Sequence, residues 1–176
     1  DVTVAFLLTF GPERYRPASD ELTTFHIYQM FVGGFEMQVG QYRASYTPSD
    51  SYYGLPLVGL TFLLNRALAA LREGETQRLE FADVERGFGI EWTFSLSSGL
   101  VTARGAGDEI GGTAPLSEFR EAALEALVVA FNAADGVWKD FSTSWWANGA
   151  DREFGWREWA RNHEVPPVTF ARIFYL

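Results

Sequence analysis

Cysteine is absent from this sequence of 176 residues, and histidine occurs only twice, as His26 and His163. The absence of cysteine excludes disulfide bridges and cysteine-ligated zinc or iron–sulfur sites. Two histidines are too few for the usual histidine-rich metal site, so the sequence predicts no metal. A chain without cysteine suits the cytoplasm and export alike, and the composition therefore does not decide the compartment.

Long hydrophobic runs are also lacking. No apolar stretch approaches the roughly 20 residues that a membrane-spanning helix requires. The first apolar segment, residues 2–10, is too short to span a bilayer and lacks the basic start of a signal peptide. The sequence therefore predicts no association with a membrane.

Basic residues are scarce relative to acidic ones, with 14 Lys and Arg against 23 Asp and Glu and a net charge of −9. The imbalance is concentrated in residues 73–135, where twelve acidic residues face four arginines. Such a surface repels nucleic-acid phosphates, so the sequence predicts no nucleic-acid binding. The acidic surface serves solubility in the simplest interpretation. In the functional interpretation, the acidic surface attracts another protein with a basic surface.

No catalytic or cofactor motif stands out. Residues 104–111 (RGAGDEIG) lie between a predicted strand and a predicted helix, but their glycine spacing is not the dinucleotide fingerprint. Asp108 and Glu109 also place two carboxylates where a pyrophosphate requires neutral amides. Glu36 and Glu91 are a conceivable pair of catalytic carboxylates, but an acidic chain offers many such pairs. We therefore expect no cofactor, and the sequence favours a non-enzymatic protein.

The clearest pattern that is present is the alternation of residues 88–96, FGIEWTFSL. Every second residue is large and apolar, and small or polar residues fill the gaps. This is the period of a strand with one face in a core and the other face outward. The pattern predicts a central strand that buries Trp92 and Phe94.

Similar patterns predict an antiparallel α+β fold. Strands are predicted at residues 2–10, 22–32, 35–46, 76–83, 100–104 and 168–176. Gly33 and Gly34 indicate a hairpin, a phase shift near Gly40 indicates a bulge, and residues 105–113 read as a loop. Helices are predicted at residues 55–72, 115–134 and 151–162. We expect one twisted sheet of about six to seven strands packed against two main helices and closed by an aromatic-rich C-terminal segment.

The whole chain, residues 1–176, is predicted to form a single domain. Two parts of it, residues 22–74 and 76–135, share an order of strands followed by a helix. The pairs Pro56-Leu57 and Pro115-Leu116 align between them at an offset of 59 positions. The similarity indicates either a duplicated unit or a chance likeness between amphipathic elements.

The C-terminal segment, residues 136–176, is rich in tryptophan. It contains five of the six tryptophans in the chain: Trp138, Trp145, Trp146, Trp156 and Trp159. Exposed tryptophans next to Arg157 would have the composition of a protein-binding hot spot. Exposed indole rings also stack on sugar rings. Alternatively, the rings pack as a lid over one face or edge of the sheet, because aromatic residues are mostly buried where a core is available.

These observations lead to three functional hypotheses. The first is a non-enzymatic protein that binds a basic macromolecule, for example an inhibitor or immunity-type protein that masks a basic toxin or nuclease. Its candidate binding residues are Trp145, Trp146, Trp156, Trp159, Arg157, Asp108 and Glu109. The second is a carbohydrate-binding or carbohydrate-hydrolysing domain that uses the C-terminal tryptophans and a carboxylate. The third is a structural subunit of a larger assembly, and the sequence leaves the oligomeric state open.

Overall fold

The computed structural model describes residues 3–10, 32–46, 55–83, 88–137 and 140–165. Within these ranges eight strands form two antiparallel sheets of four strands each. The strands of the first sheet are β1 (Val4–Phe10), β2 (Val32–Val39), β3 (Tyr42–Tyr46) and β4 (Leu55–Pro56). Those of the second sheet are β5 (Thr76–Asp83), β6 (Phe88–Ser97), β7 (Leu100–Gly105) and β8 (Gly112–Pro115).

One helix lies between the two sheets in the chain, and the other helices follow the second sheet. They are α1 (Leu57–Ala70), α2 (Leu116–Val137), a 3₁₀ helix (Phe141–Thr143), α3 (Trp145–Phe154) and α4 (Trp156–Asn162). Helices α1 and α2 pack against each other, and α1 also contacts β5 while α2 contacts β1. The predicted α+β class is therefore confirmed, with eight strands in two sheets in the described parts of the chain rather than six or seven strands in one.

The predicted central strand is an inner strand of the second sheet. Strand β6 lies between β5 and β7, and its inward side chains include Trp92 and Phe94, both buried. The outward residues between them are only partly buried. Alternation of apolar and polar side chains thus places one face of this sheet in the core, as the sequence predicts.

Both sheets and α2 share one hydrophobic core. The ring of Trp92 stacks on that of Phe35 in the first sheet, with centroids 5.2 Å apart. Phe6 in β1 lies 6.3 Å from Trp92 and 6.4 Å from Phe119 in α2. Phe119 also meets Phe94 edge to face at 6.1 Å. These contacts join the two halves of the chain in a single packed interior.

One buried polar contact fixes the two main helices relative to each other. The amide nitrogen Nδ2 of Asn65 in α1 donates to the backbone oxygen of Ala123 in α2 at 2.8 Å, and also to that of Thr61 at 2.9 Å. The Thr61 hydroxyl in turn donates to the Leu57 oxygen at 2.8 Å. Because buried polar groups are costly without partners, these bonds favour one arrangement of the helices.

Two predictions that rested on glycines of the first sheet were wrong. Gly33 and Gly34 form no hairpin but lie inside β2, where a Cβ on Gly33 would come within 1.9 Å of the Thr9 oxygen in β1. The phase shift near Gly40 is not a bulge. It is a two-residue turn with Val39 opposite Tyr42, and Gly40 has a φ of 60°.

The remaining differences lie near the ends of elements. Strand β8 begins inside the predicted loop 105–113 and continues to Pro115, the first residue of the predicted helix 115–134. The predicted helix 151–162 is two helices separated by Gly155, whose φ is 67°. The predicted strand at residues 168–176 lies outside the described residues, and so does the predicted strand at residues 22–32 except for Val32, which begins β2.

The two halves of the chain have the same order of elements, four strands and then a helix. The aligned pairs Pro56-Leu57 and Pro115-Leu116 each stand at the junction of the fourth strand with its helix. The pairing of the fourth strands differs, because β4 pairs with β2 whereas β8 pairs with β7. A duplicated unit would produce the shared order, and the duplication itself stays a prediction.

Candidate functional site

The outer face of the second sheet, opposite the core, is polar and accessible. One row of hydroxyl side chains crosses all four strands: Thr76, Ser95, Thr102 and Thr113. Two pairs within this row are hydrogen-bonded, Thr76 to Ser95 at 2.7 Å and Thr102 to Thr113 at 2.9 Å. Their exposed or half-buried side chains show that no element of the described chain covers this face.

Charged side chains occupy the neighbouring rows. Arg78 contacts Glu91 at 2.6 Å and Glu80 at 3.6 Å, so two carboxylates surround one guanidinium group. Arg104 stands on the far side of Thr93 from Arg78, because Thr93 pairs with both residues across β6. All of these ion pairs are exposed to solvent and contribute little to stability. They determine the charge that the face presents to solvent.

The loop after β7 forms one wall of an open cleft of about 410 Å³ at the edge of this face. The cleft is lined by Glu91, Thr93, Arg104, Gly105, Ala106, Gly107, Asp108 and Glu109. The backbone nitrogen of Ala106 donates to the backbone oxygen of Glu91 at 2.9 Å, and Gly107 has a φ of 80°. A left-handed residue at this point lets the loop turn back over the end of β6.

Tyr42 ties the loop to the first sheet. Its hydroxyl donates to Asp108 Oδ2 at 2.6 Å and accepts a bond from the backbone nitrogen of Gly105 at 2.6 Å. Burial of the hydroxyl raises the pKa of Tyr42 above its ordinary value of 10.0, and its hydrogen bond to Asp108 raises this pKa further. The loop is therefore held by a neutral phenol whose ionisation would place a negative charge beside a carboxylate.

Replacing Tyr42 by phenylalanine removes both hydrogen bonds, and we expect a loss of about 0.5–1.5 kcal/mol of unfolding free energy at neutral pH. Because the folded-state pKa of Tyr42 is raised, its contribution is complete below pH 10 and is lost as the pH rises further. The difference between wild type and variant should therefore shrink above about pH 10. Urea titrations at neutral and alkaline pH measure it, and a difference that stays constant would contradict this assignment.

The C-terminal tryptophans lie far from this loop in the fold, against the helices. Trp146 and Trp156 are buried, and the Trp156 indole nitrogen donates to the Ala147 oxygen at 2.8 Å. Trp159 is half-buried and donates to Glu121 Oε1 in α2 at 2.8 Å. Trp145 is 58% exposed. Trp138 lies outside the described residues.

Arg157 joins α3 and α4 to the 3₁₀ helix. It donates to Asn148 Oδ1 at 2.9 Å and to the backbone oxygen of Ser142, and it forms an ion pair with Asp151 at 3.6 Å. Its guanidinium group also lies 5.3 Å from the ring of Trp156. With its donors engaged inside the C-terminal segment, Arg157 stabilises this corner of the fold.

The predicted binding residues thus divide into two groups. Asp108 and Glu109 are both exposed on the loop beside the second sheet, whereas the tryptophans and Arg157 pack on or near α1 and α2. Trp146 and Trp156 are buried, but they pack against Phe62 and Phe131 of the helices rather than over a face or edge of the sheet. Among the described tryptophans Trp145 is the most exposed, and the stacking that the carbohydrate hypothesis requires stays a prediction.

Sequence reasoning missed Tyr42, which holds the loop, and Arg104, which lines the cleft. Tyr42 comes from β3, 66 positions before Asp108, and no local pattern links the two. Arg104 was not distinguished from other charges. Its alternation with the buried residues Val101 and Ala103 was the available signal, because it places Arg104 on the outer face with Thr102.

The described residues contain no group of three or more histidine and acidic side chains arranged to hold a metal ion. No helix among them is long and apolar enough to cross a membrane. Comparisons of the chain with models of protein families, with curated proteins and with solved structures found no match.

Proposed function

We propose that this protein is a non-enzymatic binding protein that docks a basic surface of another protein on the outer face of its second sheet. The observation that carries the proposal is this uncovered polar face with its acidic loop. Charged pairs, hydroxyl groups and an open cleft lie side by side there, and the core side of the same sheet is fully packed.

Charge on the face favours a basic partner. Its charged side chains comprise four carboxylates, from Glu80, Glu91, Asp108 and Glu109, and two guanidinium groups, from Arg78 and Arg104. Arg78 is already engaged by Glu80 and Glu91, so the loop carboxylates dominate what an approaching protein meets. Charges of this kind steer encounter and select against acidic competitors more than they add raw affinity.

The shape of the cleft supports a macromolecular partner. Pockets for small ligands bury most of the ligand surface. This cleft is instead bounded by exposed side chains at the edge of a sheet, and it continues into the flat hydroxyl row. A protein surface is able to cover both parts together. One form of this function is the masking of a basic toxin or nuclease by an inhibitor or immunity-type protein.

Neutralising the loop tests the proposal with a defined probe, a fluorescein-labelled lysine-rich peptide. We expect the double substitution Asp108→Asn and Glu109→Gln to weaken peptide binding about tenfold at low salt, because two exposed charges near the docking site are lost. The effect should fade as added salt screens the charges. Fluorescence anisotropy over a range of salt concentrations measures both the loss of affinity and its dependence on salt.

The matched control removes the same net charge from another surface. Glu118 and Glu125 are exposed on α2, and the double substitution Glu118→Gln and Glu125→Gln should leave binding nearly unchanged. Equal weakening by both double variants would contradict the proposed docking face. A wild-type protein that does not bind the lysine-rich peptide at low salt would contradict the proposed function itself.

A further inference from the structure

Ile110 is the most exposed large apolar residue of the described chain, with 80% of its surface in water. Isolated apolar residues on a surface are common and mean little alone. The position of Ile110 is what distinguishes it, because it follows Asp108 and Glu109 directly on the loop that borders the cleft. An apolar side chain and two carboxylates therefore project from one short segment.

We infer that Ile110 is the apolar anchor of the docking face, and that the partner presents an apolar pocket bordered by lysine or arginine side chains. This inference rests on the proposed function and specifies its partner. Interfaces concentrate binding energy in a few apolar or aromatic anchors that a partner desolvates. Charge complementarity at the border of the pocket then comes from Asp108 and Glu109.

The loop is held on both sides of Ile110, which lowers the entropic cost of binding. On the N-terminal side, Tyr42 binds both Gly105 and Asp108. On the C-terminal side, Gly111 lies so close to β7 that an added Cβ would come within 2.1 Å of the Ala103 oxygen. Such a pre-ordered loop loses little conformational freedom when it is bound.

Gly112 extends this anchoring to the first sheet. An added Cβ there would come within 2.4 Å of the Val39 Cβ in β2. The base of the loop is therefore packed at the junction of the two sheets, whereas its tip is exposed. The geometry is that of a fixed support that presents one apolar side chain.

Two fluorescein-labelled peptides of equal length and equal lysine content test the inference. One carries a central leucine cluster, and the other carries serine at the same positions. We expect the wild-type protein to bind the leucine peptide about tenfold more tightly, since part of an isoleucine side chain leaves water. The substitution Ile110→Ser should abolish this preference and leave binding of the serine peptide unchanged.

Leu7 provides the matched control, because it is an exposed leucine on β1 in the other sheet, with 45% of its surface accessible. The variant Leu7→Ser should keep the full preference for the leucine peptide. Both substituted side chains are exposed, so circular dichroism should show unchanged folding.

Several results would overturn the inference. The first is that the wild-type protein shows no preference for the leucine peptide over the serine peptide. The second is that this preference survives Ile110→Ser, and the third is that Leu7→Ser loses it to the same extent as Ile110→Ser. In each of these cases, retained binding of the serine peptide leaves the proposed function standing.

Light scattering adds one more decisive outcome, because a wild-type dimer that Ile110→Ser dissociates would assign Ile110 to self-association instead. Failure of both peptides to bind would remove the proposed function and the inference together.

Discussion

Replacing Trp92 by alanine should lower the free energy of unfolding by about 3–5 kcal/mol, as expected for loss of a buried aromatic ring. The ring is 3% exposed and stacks on Phe35 at 5.2 Å. It also lies beside Phe6 at 6.3 Å, so it connects β1 and β2 of the first sheet to β6. The cavity left by alanine therefore weakens the packing between the two sheets as well as the packing within the second sheet.

Thr93 is the matched control for this experiment, because it is the next residue of β6 and points to the outer face. We expect Thr93→Ala to cost less than about 1 kcal/mol. Urea denaturation followed by circular dichroism gives both values. Equal losses at the two positions would contradict the assignment of the inner and outer faces of β6.

Replacing Trp156 by alanine should also cost about 3–5 kcal/mol, because its ring is a structural element of the C-terminal segment. The ring meets Phe131 of α2 edge to face at 5.4 Å. Its nitrogen donates to the Ala147 oxygen at 2.8 Å, and the substitution leaves that buried acceptor without its donor. This expectation differs from the sequence-based prediction that Trp156 belongs to a binding surface.

The contrast with Trp145 makes the second experiment decisive. Trp145 is 58% exposed, and we expect Trp145→Ala to cost less than about 1.5 kcal/mol. Thermal or urea unfolding of the two variants measures the difference. A small loss for Trp156→Ala, similar to that for Trp145→Ala, would show that α4 does not pack on α2 and α3 as described.

The sequence predicted the fold best where periodicity reflects burial. Alternation in β6 and the leucine spacing of α1 arise from one buried face, and both elements lie where their patterns place them. Glycine was harder to interpret, because it serves both turns and close packing. Gly33 is buried in β2 beside the Thr9 oxygen, whereas Gly40 forms a turn, and residue identity does not separate the two roles.

The candidate site was less predictable, because it depends on contacts between distant segments. Asp108 and Glu109 were identified as binding candidates from local sequence, but the support from Tyr42 arises only when the first sheet meets the second. The tryptophans showed the opposite limitation. Their abundance indicated either a binding surface or a lid, and only the contacts of Trp156 with α2 and α3 distinguish these roles for that ring.

The fold explains why the outer face of the second sheet is available for binding. Helices α1 and α2 and aromatic residues of the first sheet cover the core side. In the described chain α3 packs on α1 through Trp146 and Phe62, and α4 contacts α2. An antiparallel sheet tolerates one solvated face, because its strands alternate polar and apolar side chains. The loop that carries Ile110 stands at the edge of that face, where the proposed partner would meet the acidic residues and the hydroxyl row together.

Chemical-shift mapping of the isotope-labelled protein during titration with the leucine-centred lysine peptide tests the central claim most directly. The account predicts that the largest amide shifts occur in residues 91–93 and 102–113, with little change in α2 or at the indole of Trp145. Shifts concentrated on Glu118, Glu125 or Trp145 would place binding on the helical side of the molecule and contradict the account.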